Sequence, residues 1–149
     1  RKLLRWKDQR FLTHPTGLGV PNPDVEKVLN KIETISLFRR QEISERDFCD
    51  FVRGIFGSNG AVYRAFLFHI ARPIDYPIWD QNVARVHALL TGRSNDLDWQ
   101  HYRDYRGWFA HLMTLLKVGH DLTRENVQRV KDLDSAFVAY GQFLNNYYR

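Results

Sequence analysis

Cysteine is nearly absent from this chain of 149 residues, where Cys49 stands alone. One thiol cannot build a disulfide framework, nor hold a thiolate-ligated iron–sulfur or zinc cluster, which takes two to four. A reducing compartment fits such a sequence, and the cytoplasm is the expected location. No apolar run approaches the roughly 18 residues of a membrane span. No charged start followed by an apolar stretch marks a secretion signal. The expectation is a soluble protein with no membrane partner. The chain opens at Arg1 rather than at methionine, as a natural chain that extends further upstream would. The patterns GxxxxGK(S/T), GxSxG and HExxH are missing, which removes the ordinary signatures of nucleotide hydrolysis, esterase and zinc-protease chemistry. His69, His87, His101, His111 and His120 fall at no metal-ligand spacing with a cysteine or a second carboxylate on one helical face, so neither a metal nor a cofactor is expected.

What the chain does contain is apolar and basic. Hydrophobic residues make up 44% and aromatics 14%, enough at this length to bury one core, and the expected organisation is one domain over 1–149. Lys and Arg number 22 against 17 Asp and Glu, a formal charge of +5, so a charged partner is expected to be anionic.

The pattern of apolar residues is helical throughout. Residues 1–12 place Leu3, Leu4, Trp6 and Phe11 among basic residues, as a short amphipathic helix would, and the proline- and glycine-bearing THPTGLGVPNP that follows is a loop. From Asp24 to Phe38, Val25, Val28, Leu29, Ile32 and Ile35 recur at threes and fours, predicting a helix. Ser44 and Asp47 form a capping-box pattern ahead of a helix with Phe48, Phe51, Val52 and Ile55 inward, stopping at Gly57. The tetrapeptide Gly57-Ser58-Asn59-Gly60 suits a tight reversal, and AVYRAFLFHIA begins the next helix, apolar nearly all round. A turn in RPIDYP leads to Asp80 and a helix sharing Val83, Val86 and Leu90 on one face. Asp96 or Asp98 starts a long helix carrying Trp99, Tyr102, Phe109, Leu112 and Leu116, expected to end at Gly119. Thr123 caps a last helix of nearly 25 residues with Val127, Val130, Leu133, Phe137, Tyr140, Leu144 and Tyr147 at helical spacing. Period-two alternation is missing, and the fold class predicted is all-α, with six or seven helices.

The stretch IFGSNGAVYRAFLFHIARPIDYPIWDQNVARVHALL, from Ile55 to Leu90, is informative as an order of parts: helix, Gly-rich bend, buried helix, proline-bearing loop, and an aspartate at the threshold of another helix. This order resembles the helix-hairpin-helix DNA glycosylase superfamily, with IFGSNG standing for the LPGVG-type hairpin and WDQNVARV for the segment that carries the catalytic aspartate. The spacing between hairpin and aspartate fits within about one residue, and the likeness covers about a quarter of the chain. It implies a helix-hairpin-helix, glycosylase-like fold and a monofunctional DNA base-excision activity with Asp80 catalytic. Bifunctional members carry a lysine after the hairpin glycines, where this chain has Ala61, so no lyase activity is implied. Gln81-Asn82 stands where many relatives have Thr-His, Asn59 replaces the second hairpin glycine, and the four-cysteine cluster of some relatives is missing. The segments YPIWDQNV and LDSAFVAYGQFL also resemble stretches of uncharacterised bacterial proteins of similar length, a likeness that carries no mechanism.

The chemistry can be stated for each part. The backbone N–H groups of Asn59, Gly60 and Ala61, beside the side-chain-free Gly57, can point at a phosphate and dock DNA without reading its sequence. A plain helix–turn–helix corner explains the same residues. A carboxylate at Asp80 can stabilise the oxocarbenium character of a sugar losing its base and direct a water, once the nucleotide has been flipped out. Aspartate is equally an ordinary N-cap. Trp99, Tyr102 and Tyr105, with Trp108 and Phe109 beside them, can stack on a flipped base, or form core at helical spacing. Arg39, Arg40, Arg53, Arg64, Arg85, Arg103 and Arg106 make either a basic face or ordinary solvated surface. Two rivals stand beside the DNA hydrolase: a non-catalytic nucleic-acid-binding domain, and a helical interaction or homodimerisation module using residues 99–116 and 127–148.

Overall fold

Spacing at threes and fours yields seven α-helices and no strand among the residues that this computed structural model describes, 23–58 and 60–147. The helix and loop expected over residues 1–22 lie outside the described residues, as does Asn59. The chain divides into two compact units, 1–56 and 57–149.

In the first unit, α1 (Pro23–Asn30) and α2 (Ile32–Arg39) both pack on α3 (Glu45–Phe56). The single helix expected over 24–38 is broken at Lys31. There the backbone bonding tightens to three-residue steps, Lys31 N donating to Val28 O at 3.2 Å and Thr34 N to Lys31 O at 3.0 Å. Each half buries its own pair, Val25 with Val28 and Ile35 with Phe38. Phe38 stacks on Phe48 of α3 with ring centroids 4.1 Å apart. The capping box at the start of α3 is formed as expected: Asp47 N donates to Ser44 Oγ at 3.1 Å, and Ser44 N to Asp47 Oδ2 at 3.4 Å. Phe48 and Val52 are buried, whereas Phe51 and Ile55 are half-buried.

The second unit holds α4 (Ala61–Ala71), α5 (Gln81–Thr91), α6 (Trp99–Leu115) and α7 (Arg124–Tyr147). Its core gathers Ala65, Ile74, Trp79, Val83, Ala84, Tyr102, Tyr105, Phe109, Met113 and Val130. The starts follow sequence signals: Asp80 caps α5, Asp98 Oδ1 accepts from His101 N at 2.8 Å at the head of α6, and Thr123 Oγ1 accepts from Asn126 N at 3.3 Å at the head of α7. Gly92, at φ +70°, closes α5 in the left-handed conformation. The end of α6 comes before Gly119: the helix stops at Leu115, and Lys117 rather than a glycine takes the positive φ, at +53°. On α5 the buried face is Val83, Ala84, Val86 and His87, while Leu90 is exposed. That face packs against α7 so closely that a β-carbon added at Gly141 would overlap the backbone of Asn82.

Candidate functional site

The site is built from a bend, a loop and a helix start. Gly57 follows α3 at φ +69°, a backbone conformation that L side chains rarely adopt, so a glycine is favoured where the helix is expected to stop. Gly57 and Ser58 are exposed. Gly60 occupies the N-cap of α4 with no side-chain capping bond, and the first turn of α4 carries no acidic residue. Ala61, expected to offer its amide to a phosphate, is only 1% exposed because its methyl joins the core. That leaves Gly57, Ser58 and Gly60 as the accessible described part of the bend.

Residues 72–80 carry the chain from α4 to α5 without regular structure, yet the loop is tied down. Arg72 pairs with Asp75 at 2.7 Å, Tyr76 N donates to Arg72 O at 3.1 Å, and His69 Nδ1 lies 2.9 Å from Tyr76 O. From α6, Arg106 Nε donates to Asp75 O at 3.0 Å, and its guanidinium lies 4.0 Å above the Tyr76 ring. Ile74, Tyr76, Pro77 and Trp79 are buried, which anchors the segment that ends in Asp80.

Asp80 is half-buried at the N-cap of α5. Its Oδ1 accepts from Asn82 N at 2.9 Å and Val83 N at 3.1 Å, so the carboxylate is held in one orientation. Oriented and partly open to solvent, it meets two requirements of a group that acts on a ligand. The bonds that orient it are also those of an ordinary cap.

Tyr102 and Tyr105 do not form an accessible stacking surface. They are 1% and 0% exposed, because positions 102, 105 and 109 face inward from α6 onto Trp79. The Trp79 and Tyr105 ring centroids are 5.0 Å apart. Trp99 is half-buried, tilted against Tyr102 and Phe68, with the Arg64 guanidinium 4.0 Å over its face. Tyr102 and Tyr105 are thus core residues as the chain folds, and Trp99 packs at the edge of that core.

One group escaped the sequence reading. Asp134 of α7 is 3% exposed, and neither of its oxygens makes a hydrogen bond of good geometry. Burial pushes its carboxyl up to about 7, the Ile78 amide favours the anion only in part, and the nearby Asp80 charge adds to the rise. Burial also holds the Tyr105 phenol well above its usual range, with the charges of Asp134 and Asp80 contributing. Desolvation lowers the His87 imidazole, favouring its neutral form beside Trp79 and Tyr105. Asp80, Asp134, Tyr105, Trp79 and His87 thus form a polar and aromatic cluster behind the start of α5. The available signal was a lone charge in a seven-residue apolar rhythm: Val127, Val130, Asp134, Phe137, Gly141.

Among the described residues no group of three or more His, Cys, Asp or Glu side chains is placed to hold a metal ion, and no helix is long and apolar enough to cross a membrane. Compared with known proteins, the chain matches no family model, no curated sequence and no solved structure.

Proposed function

We propose that this chain is a DNA-binding protein of the helix-hairpin-helix glycosylase kind, acting as a monofunctional base-excision hydrolase through Asp80. The supporting observation is that Asp80, an oriented and half-exposed carboxylate, follows the bend, the buried α4 and the anchored loop in the order of that superfamily. Duplex phosphates dock at the turn from Gly57 to Ala61, where α4 presents an N-terminus without a side-chain cap or an acidic first turn. A water oxygen then bonds to the anomeric carbon as the glycosidic C–N bond breaks. The electron pair leaves on the base, which takes up a proton, and the water gives a proton to the Asp80 carboxylate. Ala61 supplies no amine, so no Schiff base forms.

Asp80→Asn separates the two roles of this residue. Asparagine caps a helix about as well as aspartate, so stability should change by less than about 0.5 kcal/mol, whereas excision of damaged or mismatched bases should fall by at least about a hundredfold. Equal excision by the variant removes the catalytic role. Binding of a labelled duplex should weaken steeply with added salt, and salt-insensitive or undetectable binding removes the DNA reading altogether. Salt-sensitive binding without excision on any substrate would leave a non-catalytic nucleic-acid-binding domain.

The interaction-module reading is favoured by one feature. Tyr140, Phe143 and Tyr147 stack along the outer face of α7, 42%, 46% and 72% exposed, and a groove beside them is lined by Arg85, Leu89 and Leu144. On that reading light scattering reports a dimer at micromolar concentration and Phe143→Ser a monomer. A wild-type monomer at all accessible concentrations rules it out.

A further inference from the structure

Two stretches of the sequence, 81–95 and 135–149, contain no Asp or Glu. They supply α5 and the C-terminal half of α7, which pack on one another. Positions 85, 88 and 89 of α5, and 140, 143 and 144 of α7, are spaced at threes and fours, so each set turns to one side of its helix. Together they border a groove of about 640 Å³, well inside the range of small-molecule sites. Leu89, Tyr140 and Phe143 are exposed along it, Leu144 is half-buried, and no acid lines it among the described residues.

Arg85 is the charged member of that wall, and it is half-buried. Its Nη1 donates to Asn82 Oδ1 at 3.2 Å, a neutral partner that steadies the guanidinium and leaves its charge in place. No acid among the described residues pairs with it. Arg93, the other guanidinium of 81–95, is by contrast met by Asp104 at 2.6 Å. Asp96, which follows the lining residue Asn95, accepts from Ser94 Oγ at 2.6 Å. A guanidinium partly withdrawn from water gains most from a carboxylate, whose two oxygens match its fork. The opposite wall is apolar and continuous: the Tyr140 and Phe143 ring centroids are 6.2 Å apart and those of Phe143 and Tyr147 4.7 Å, both pairs stacked. Rings already stacked on one another leave no gap for a flat nucleobase between them, whereas an alkyl chain can lie along their outer surface.

We propose that the α5–α7 groove is a binding site for a monoanionic amphiphile, an alkyl carboxylate of medium length. The carboxylate meets Arg85, and the chain lies on Leu89, Phe143 and Leu144. One guanidinium matches one negative charge, and a groove without acid excludes a cationic ligand. The assignment is independent of any role for Asp80 or for the bend at 57–60. A homodimer formed through this face would cover the same groove, so the two uses exclude one another.

The test is a titration of the full ¹⁵N-labelled chain with acetate, butanoate, hexanoate and octanoate, and with hexanol as the neutral counterpart, read by amide chemical shifts. Each added methylene should tighten binding by about two- to fourfold. Hexanoate should bind at least about tenfold more tightly than hexanol. Shifts should centre on residues 82–95 and 138–147. Arg85→Gln should weaken hexanoate by about tenfold and leave hexanol unchanged. Leu89→Glu, at an exposed position where the fold tolerates a charge, should weaken octanoate by at least about tenfold while the rest of the spectrum stays that of the wild type. Affinity independent of chain length, hexanol binding as tightly as hexanoate, shifts centred elsewhere, or unchanged affinity in both variants would each overturn the proposal. A chain that self-associates through these residues and takes up no octanoate would overturn it too, giving the groove to a second copy.

Discussion

Gly141→Ala should destabilise the second unit by about 3 kcal/mol, in the upper part of the range for overpacking, even though alanine is intrinsically the better helix former by about 1 kcal/mol. The added methyl has nowhere to go. It would overlap the oxygen and carbonyl carbon of Asn82, and these belong to the first turn of α5, whose backbone cannot rotate aside as a flexible side chain would. Relief requires α5 and α7 to move apart, opening the interface that buries Val83, Ala84, Val130 and Asp134. Gly107, in α6, is the internal control, because a β-carbon there meets nothing within 4 Å among the described residues. Gly107→Ala should therefore stabilise by about 0.5–1 kcal/mol through the backbone alone. Urea unfolding followed by helical circular dichroism gives both values. Two variants that shift in the same direction would contradict the close approach of the helices.

Asp134→Asn should change how stability depends on pH. Below about pH 4 the carboxyl is protonated in both folded and unfolded chains, and burial exacts no ionisation cost. Between about pH 4 and 7 the unfolded chain releases this proton, while the folded chain retains it up to about 7. The folded form is the better proton binder, so stability falls as pH rises, by about 1.4 kcal/mol for each pH unit in the middle of the window. Above pH 7 the residue is ionised in both states and the whole penalty, about 4 kcal/mol, stays in place. His87 works in the opposite sense: its lowered proton affinity contributes stability that is present above its ordinary value near 6.5 and is lost as pH falls. Both contribute to the wild-type profile, along with the lowered carboxyls of Glu42 and Asp98, and subtracting the Asp134→Asn profile isolates the buried acid. Relative to wild type, the variant should gain up to about 4 kcal/mol between pH 4 and pH 8. Parallel profiles would mean that Asp134 ionises normally in the fold.

Local signals in the sequence were sufficient for most of the helix starts. Ser44 with Asp47, Asp80, Asp98 and Thr123 each act within four residues, so each could be read without knowing what packs where. The break at Lys31 had no such marker, since neither proline nor glycine sits there and the helical spacing runs through it. Face assignments were harder. On α7 the eye follows Leu133, Tyr140, Leu144 and Tyr147, whereas the buried seam runs through Val130, Asp134 and Gly141. Size and hydrophobicity mislead there, because a close helix crossing demands the smallest residue and a buried acid contradicts its own polarity. Asp80 was legible as a cap because capping is local. Its neighbour Asp134 is 54 positions away in sequence and meets it only through the α5–α7 contact.

The bond from Arg106 to the Asp75 carbonyl spans 31 positions of chain, and it gives the segment 72–80 a mechanical character its lack of helix would not suggest. It is bolted to α6 by a guanidinium and plugged below by the buried Tyr76 and Trp79. Asp80, whose carboxylate is set by the amides of Asn82 and Val83, therefore stands at the end of a fastened strap rather than of a loose one.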